Sequence, residues 1–142
     1  MTIIGDEGKL EEKMRHLEMI QNVISRMASN SFFLKGWTVT LVVGLLAFAN
    51  IKEMNADFMF LALVPALFFW VLDSYFIHQE RLYVKLYEHV ATLKNDQIDF
   101  SLNARQYEEK TGGQVGAFLS WTLVLFYLPT LIVVAVAIGA YR

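Results

Sequence analysis

Two charged residues stand inside long apolar runs, and they are the residues of this chain best suited to chemistry. Lys35 lies near the start of the run 32–49, and Asp73 lies near the end of the run 58–77. A lone charge in the hydrocarbon of a bilayer is costly, so such side chains face the protein interior and find partners. If the two runs form antiparallel helices, both charges lie at the same depth and can pair.

The pair supports two interpretations. It is either a buried ion pair that fixes the register of two helices, or a charged gate at one mouth of a conducting pathway. Both residues lie within about one turn of the end of their run, where a long side chain can partly reach the interface. A similar choice applies to the small and hydroxyl-bearing residues, which either line a pore or let helices approach closely; they are Thr38, Thr40, Gly44, Ser120, Thr122 and Thr130.

The composition indicates an integral membrane protein in which helices must position these charges. Of 142 residues, 56% are hydrophobic and 18% are charged, and the charged residues cluster outside the apolar runs. A bilayer core about 30 Å thick needs about 20 helical residues, and the runs 32–49, 58–77 and 115–141 approach or exceed that length. A helix satisfies its own backbone hydrogen bonds inside lipid. The sequence therefore predicts an all-α membrane protein with three transmembrane helices.

The first two spans are predicted to extend into a cytosolic helical hairpin. Apolar residues recur at helical spacing before the first span and after the second; they are Leu10, Met14, Leu17, Ile20, Ile24 and Met27, then Leu82, Leu86, Val90 and Leu93. We predict a cytosolic amphipathic helix at 1–30, a transmembrane hairpin at 31–77 with its turn at 50–57, a cytosolic helix and connector at 78–114, and a third span at 115–142. The segment 78–114 should contain a short helix at 102–110.

The two prolines are predicted to lie near the middle of the second and third spans. Pro65 falls within the run 58–77, and Pro129 falls within the run 115–141. Proline removes one intrahelical hydrogen bond and usually kinks a helix. Both positions are therefore candidate hinges.

Basic residues in the short loops predict the orientation of the spans. Nine Lys and Arg residues lie before the first span or between the second and third, whereas only Lys52 and Arg142 lie in the first turn and at the C-terminus. Cytosolic loops carry the excess of Lys and Arg. The N-terminus and the middle segment are thus predicted to be cytosolic, and the C-terminus lies on the opposite side.

Four basic residues of the predicted cytosolic part are the best candidates for holding an anionic ligand. Arg81 and Lys85 are one helical turn apart, and Arg105 and Lys110 follow on the return segment. A nucleic-acid site requires its basic residues on one face. Because eleven acidic residues share this part with the nine basic ones, a solvated, salt-bridged surface is the competing interpretation.

The chain has no motif that predicts an enzyme or a metal site. P-loop, G-x-S-x-G and H-E-x-x-H patterns are all missing from the sequence, and the chain contains no cysteine, which excludes thiolate chemistry. His16 and His89 can meet across the predicted helix pair, and His78 lies at the membrane edge. No set of ligands with known metal-site spacing accompanies these histidines. We predict no enzymatic activity, no cofactor and no metal.

Two stretches carry a resemblance to a known family. They are residues 19–42, MIQNVISRMASNSFFLKGWTVTLV, and residues 70–90, WVLDSYFIHQERLYVKLYEHV. Both resemble small bacterial membrane proteins found beside nucleotidyltransferases in antiphage defence, namely the membrane effector of the Hailong system and, more loosely, two-span effectors of the SLATT type. The resemblance implies a homo-oligomeric inner-membrane channel gated by a nucleotide or oligonucleotide that a partner nucleotidyltransferase makes. It also implies that opening depolarises the infected cell, as in abortive infection.

Three functions remain open at this point. The first is the oligomeric channel or pore-forming effector, with the N-terminus in the cytoplasm and the C-terminus in the periplasm. The second is a non-conducting membrane anchor that recruits a cytosolic partner through its helical hairpin. The third, more distant, is a small transporter or its subunit. Three spans are too few for a monomer to enclose a pathway easily, so conduction requires oligomers, whereas an anchor does not.

Overall fold

Helices make up almost all of the described chain. The computed structural model describes the backbone of residues 2–49 and 56–140, and the side chains of residues 7–49 and 59–140. Within those ranges there is no strand, and four α-helices and two 3-10 segments follow one another: α1 (Thr2–Ala49), a 3-10 segment (Ala56–Ala62), α2 (Leu63–Thr92), a 3-10 segment (Ala104–Lys110), α3 (Gly113–Phe118) and α4 (Trp121–Ala140).

Three helical stretches are long and apolar enough to cross a membrane. They are Glu7–Ala49, Met59–Thr92 and Trp121–Ala140. This confirms the predicted all-α fold with three spans. The predicted turn at 50–57 lies mostly outside the described residues, which resume at Ala56.

The first helix runs without a break from the polar N-terminal segment into the first span. At 1.5 Å per residue, the 48 residues of α1 measure about 72 Å, more than twice the thickness of a bilayer core. One half of α1 therefore projects beyond the hydrocarbon, as the sequence predicts. The 30 residues of α2, about 45 Å, likewise exceed one span.

The projecting parts of α1 and α2 pack together with the 3-10 segment Ala104–Lys110; we call residues 7–30 and 78–110 the head. Its buried core consists of Ile20, Leu82, Leu86, Val90, Ala104 and Tyr107. Leu17 and Ile24 pack against that core from α1, so the predicted apolar faces of the two helices are confirmed at these positions. The packing of α1 against α2 thus continues from the spans into the head.

One end of the head leaves apolar side chains uncovered. The ammonium of Lys13 donates to the carbonyls of Ala91 and Leu93 at 3.0 and 2.6 Å, and so satisfies carbonyls that have no partner at the end of α2. Because α2 ends level with Lys13, the first turns of α1 extend past it. Leu10 and Met14, which were predicted on the packed face, are 49% and 53% exposed.

The three spans meet in a second core of small and branched side chains. Val42, Ala62, Ala66 and Val134 are buried there. The two alanines of the second span let α1 and α4 approach its backbone closely, as small residues do in lipid. Large apolar side chains face outward from all three spans, which is the arrangement expected of lipid-facing surfaces; they include Phe32, Trp37, Phe68, Val71, Ile132 and Val136.

The third span begins later than the sequence predicts. Instead of one helix from residue 115, α3 ends at Phe118 and α4 starts at Trp121. The carbonyls of Gly116 and Phe118 accept hydrogen bonds from Arg81 and Trp70 of α2, so they serve contacts between segments. Hydropathy does not distinguish an apolar segment packed on a neighbouring helix from one that spans lipid.

The structure places the two prolines and the short helix in more detail. Pro65 is the third residue of α2, which follows the 3-10 segment Ala56–Ala62 without a break, so Pro65 lies inside the helical stretch Met59–Thr92, nearer to its start than to its middle. Pro129 does lie inside α4. The short helix predicted at 102–110 is the 3-10 segment Ala104–Lys110. Asn103 caps its start, because the Asn103 side chain accepts a hydrogen bond from the backbone N–H of Arg105.

Candidate functional site

The predicted charges on the first two spans are in direct contact. Lys35 Nζ lies 2.6 Å from Asp73 Oδ2. The Asp73 side chain is fully buried and the Lys35 side chain is 18% exposed. Lys35 also donates to the Ser31 hydroxyl at 2.8 Å and lies 6.0 Å from the centre of the Phe126 ring. The antiparallel packing of α1 and α2 therefore brings together two charges that are 38 residues apart in the chain.

A third member of this cluster comes from α4 and was not predicted from the sequence. The buried Tyr127 hydroxyl lies 3.1 Å from Asp73 Oδ2 and 3.3 Å from the Phe69 carbonyl. We call Lys35, Asp73 and Tyr127 the charge cluster. It ties all three spans together at one point. The sequence did contain one indication of this role: a buried tyrosine inside an apolar span usually finds a hydrogen-bond partner for its hydroxyl.

The second carboxylate oxygen of Asp73 is left without a protein partner. Asp73 Oδ1 is buried and makes no hydrogen bond to any described residue. A buried carboxylate oxygen in that state is costly. Ionisable groups inside a membrane are candidates for functional sites by default, and Asp73 is the candidate of this kind that lies deepest in the described chain.

The candidate pore or packing residues of α1 lie on different faces. Thr38 is fully buried and donates to the Leu34 carbonyl at 2.8 Å, whereas Thr40 is exposed and donates to the Gly36 carbonyl at 2.9 Å. Gly44 is partly buried, with open space beside its Cα. Thr38 therefore faces the interior of this chain, whereas Thr40 faces outward.

The hydroxyl-bearing residues of the third span also divide between interior and exterior. Thr130 donates to the Phe126 carbonyl at 2.8 Å, and Thr122 is exposed. Ser120 is buried at the break before α4, and its Oγ has no hydrogen-bond partner among the described residues. These side chains do not share one surface of the chain.

Residues 111–120, which we call the connector, lie along α2 and lead into the third span. Three hydrogen bonds hold the connector there: Gln114 Nε2 to Ser74 Oγ at 2.8 Å, Trp70 Nε1 to the Phe118 carbonyl at 3.1 Å, and an Arg81 guanidinium N–H to the Gly116 carbonyl at 3.2 Å. All three partners lie on α2. The connector is therefore fixed by polar side chains at the boundary between head and spans.

An aromatic stack links the connector to the charge cluster. The Trp70 ring is nearly parallel to the rings of Phe118 and Tyr127. The distance between ring centres is 4.6 Å to Phe118 and 5.7 Å to Tyr127. Tyr127 in turn contacts Asp73 through its hydroxyl. A displacement of Phe118 would therefore remove one side of the support that positions Tyr127.

Three of the four predicted ligand-binding residues share one groove. Arg81, Lys85 and Lys110 line an open groove of about 250 Å³ together with Glu80, Val84 and Thr111. We call it the basic groove. Three cationic side chains there face one carboxylate, which favours an anion. Lys85 is also paired with Glu88 at 2.7 Å on the exposed surface.

The fourth predicted residue does not reach the basic groove. Arg105 is exposed at the start of its 3-10 segment and is not among the residues that line this groove. A neighbouring groove of about 430 Å³ shares Lys85 and Lys110 and is bounded by Tyr107, over whose ring the Lys110 ammonium lies at 5.7 Å. Burial raises the pKa of the Tyr107 phenol, with a smaller contribution from the Asp99 carboxylate, so the phenol is neutral at physiological pH.

The histidines do not converge on one site. His16 is fully buried against the edge of Phe100, and His89 lies beside Tyr107. The buried His78 has its Nε2 at 3.8 Å from Glu108. The proposed meeting of His16 and His89 is thus replaced by two separate aromatic contacts.

No family model, curated protein or solved structure matches the chain. The charge cluster, the basic groove and the connector between them are the features of the described chain that bear on its function.

Replacing Tyr127 by phenylalanine should destabilise the packing of α4 while leaving its ring stacking intact. The change removes only the hydroxyl that contacts Asp73, and a hydrogen bond to a charged group inside the protein is worth about 1–2 kcal/mol. The measurement is the free energy of unfolding in detergent. Tyr75→Phe on the exposed side of α2 is the matched control and should have little effect; equal effects of the two changes would contradict the role given to the Tyr127 hydroxyl.

Proposed function

We propose that this protein is a non-enzymatic, homo-oligomeric ion channel of the bacterial inner membrane that acts as an effector of antiphage defence. A cytosolic nucleotide or oligonucleotide, made by a partner nucleotidyltransferase, controls its opening. The defence role and the ligand come from the resemblance of residues 19–42 and 70–90 to membrane effectors of that kind. Channel function is supported by the geometry of the spans.

The observation that carries the proposal is the charge cluster. A buried Lys–Asp pair at 2.6 Å, contacted by a tyrosine of the third span, stands where a hydrophobic contact would cost less. Ionisable groups inside the membrane are known to mark ion or substrate pathways. Rings of charged side chains are one of the ways in which channels select and gate ions.

The route from ligand to gate is supported by the continuity of α2. Asp73 of the charge cluster and Arg81 of the basic groove lie on this one helix, eight residues or about 12 Å apart. A ligand that binds the closed and open forms with unequal affinity shifts the equilibrium between them. An anion in the basic groove is therefore close enough to bias the arrangement of the cluster through a rigid element.

Ion flux from liposomes tests the channel directly. The purified protein is reconstituted in its oligomeric form into liposomes that contain a fluorescent ion indicator. We expect ions to cross the liposome membrane, and we expect candidate oligonucleotides to change the rate of this flux. Empty liposomes and liposomes with denatured protein give the background. Absence of flux, with and without the nucleotides, would reject the channel and favour a membrane anchor.

The proposed orientation gives a separate prediction. Nine basic residues on one side of the membrane and two on the other should place the head in the cytosol and the C-terminus in the periplasm. Alkaline phosphatase fused after Arg142 should be active, and the same enzyme fused after Thr92 should be inactive. A fluorescent protein that folds only in the cytosol should give the reverse result. An active phosphatase after Thr92 would contradict the orientation.

A membrane anchor is the second candidate, and one observation favours it. Leu10 and Met14 are about half exposed on the part of α1 that extends past α2, and exposed apolar residues on a polar surface often mark a protein contact. Leu10→Ser and Met14→Ser should abolish recruitment if the protein is an anchor. The same changes should leave ion flux intact if it is a channel.

A further inference from the structure

Arg81 belongs to two sites at once. Its guanidinium donates to the Gly116 carbonyl of the connector at 3.2 Å, and the same side chain lines the basic groove with Lys85 and Lys110. Lys110, at the end of the 3-10 segment, and Thr111, the first residue of the connector, also line this groove. A ligand in the groove would therefore touch α2 and the connector together, through the residue that fastens one to the other.

We propose that a phosphate-bearing anion in the basic groove competes with the Gly116 carbonyl for Arg81, so that binding releases the connector from α2. This rests on the proposed function and adds a mechanism of regulation to it. A guanidinium presents its N–H groups as a rigid fork that matches two oxygens of one phosphate. Its hydrogen bonds to an anionic acceptor are about twice as strong as bonds to a neutral carbonyl. The anion is thus the favoured partner whenever it is present.

Release of the connector has a defined consequence for the spans. Phe118 lies two residues beyond Gly116 and stacks on Trp70, which stacks on Tyr127. When the connector moves, Trp70 loses the Phe118 ring and its hydrogen bond to the Phe118 carbonyl, so the ring that packs against Tyr127 is no longer held in place. The competition at Arg81 therefore couples the groove to the charge cluster through a chain of direct contacts.

A cysteine placed under the connector can report its release, because the chain contains no cysteine of its own. Ala117 is fully buried in the connector, whereas Ala104 is 5% exposed in the core of the head. The test uses full-length Ala117→Cys and Ala104→Cys variants in phosphatidylcholine liposomes and measures their rates of reaction with a water-soluble maleimide. The probe is inorganic tripolyphosphate, compared with sodium chloride at equal ionic strength.

We expect tripolyphosphate to accelerate labelling at position 117 and to leave labelling at position 104 unchanged. Loss of a hydrogen bond from a charged donor corresponds to roughly a tenfold to hundredfold shift in the opening equilibrium. Adding Arg81→Gln to the Ala117→Cys variant should give rapid labelling without the probe and no further response to it. Arg81→Lys should retain part of the response, because it keeps the charge but not the fork.

A second arm separates a soluble phosphate from a lipid headgroup, since Arg81 lies close to the predicted membrane boundary. Vesicles containing phosphatidic acid, without tripolyphosphate, present the same chemistry from the bilayer. Acceleration in these vesicles alone supports the competition but contradicts the soluble ligand of the proposed function. No acceleration in either arm, or equal acceleration at positions 117 and 104, overturns the competition. Ion flux in the same liposomes shows independently whether the channel itself exists.

Discussion

Replacing Lys35 by methionine should destabilise the protein by about 3–5 kcal/mol, the cost of leaving a buried charge without its partner. Asp73 is fully buried, and after the change only Tyr127 contacts its carboxylate among the described side chains. Asp73→Leu should cost less, because the Lys35 ammonium keeps the Ser31 hydroxyl and its side chain is partly exposed. The measurement is the free energy of unfolding in detergent.

The double change should recover much of the loss, since neither charge then remains unpaired. Tyr127 would still have the Phe69 carbonyl as its acceptor. Glu11 and Arg15 provide the matched control: they form an ion pair of similar length, 2.7 Å, but both side chains are mostly exposed. Glu11→Leu and Arg15→Met should each change stability by less than about 1 kcal/mol. Additive losses in the Lys35/Asp73 double variant would show that the pair contributes no coupling energy.

The fold and the charge pair were predictable from the sequence for the same physical reason. Hydropathy fixes the length of a span, and a charge inside a span must find a partner at its own depth. Two antiparallel spans, one with Lys35 at its start and the other with Asp73 at its end, leave few alternatives. The apolar periodicity around Ile20 and Leu86 likewise predicts the packed faces of the head, because those faces repeat at helical spacing.

The connector and Tyr127 were not predictable because their roles depend on tertiary contacts. Val115 and Leu119 are as apolar as span residues, yet their segment packs beside α2 and its carbonyls accept from Trp70 and Arg81. Only the position of α2 reveals this. Arg105 was predicted at the ligand site because it lies with Lys110 on the return segment, but it is not among the residues that line the groove of Lys110.

Production of the chain without its partner enzyme should be toxic to bacteria and should collapse their membrane potential. The reason is that the proposed channel conducts when the ligand made by that enzyme is absent. The Lys35→Met/Asp73→Leu double variant is the most informative comparison, because it removes both charges and leaves no unpaired charge within the spans. Apolar constrictions close by dewetting. We therefore expect depolarisation, followed with a potential-sensitive dye, to slow by roughly tenfold or more, which corresponds to about 1.4 kcal/mol on the conduction barrier.

This comparison also decides between the two interpretations of the charge pair. If Lys35 and Asp73 only fix the register of α1 and α2, the stable double variant should be as toxic as the original chain at equal amounts in the membrane. If the pair gates conduction, toxicity should fall although the protein level does not, and the Glu11→Leu/Arg15→Met control should remain fully toxic. Arg81→Gln, which acts on the connector rather than on the cluster, should change the response to the ligand while the pair stays intact. If the original chain and all of these variants accumulate in the membrane without altering the potential, the protein is an anchor and not a channel.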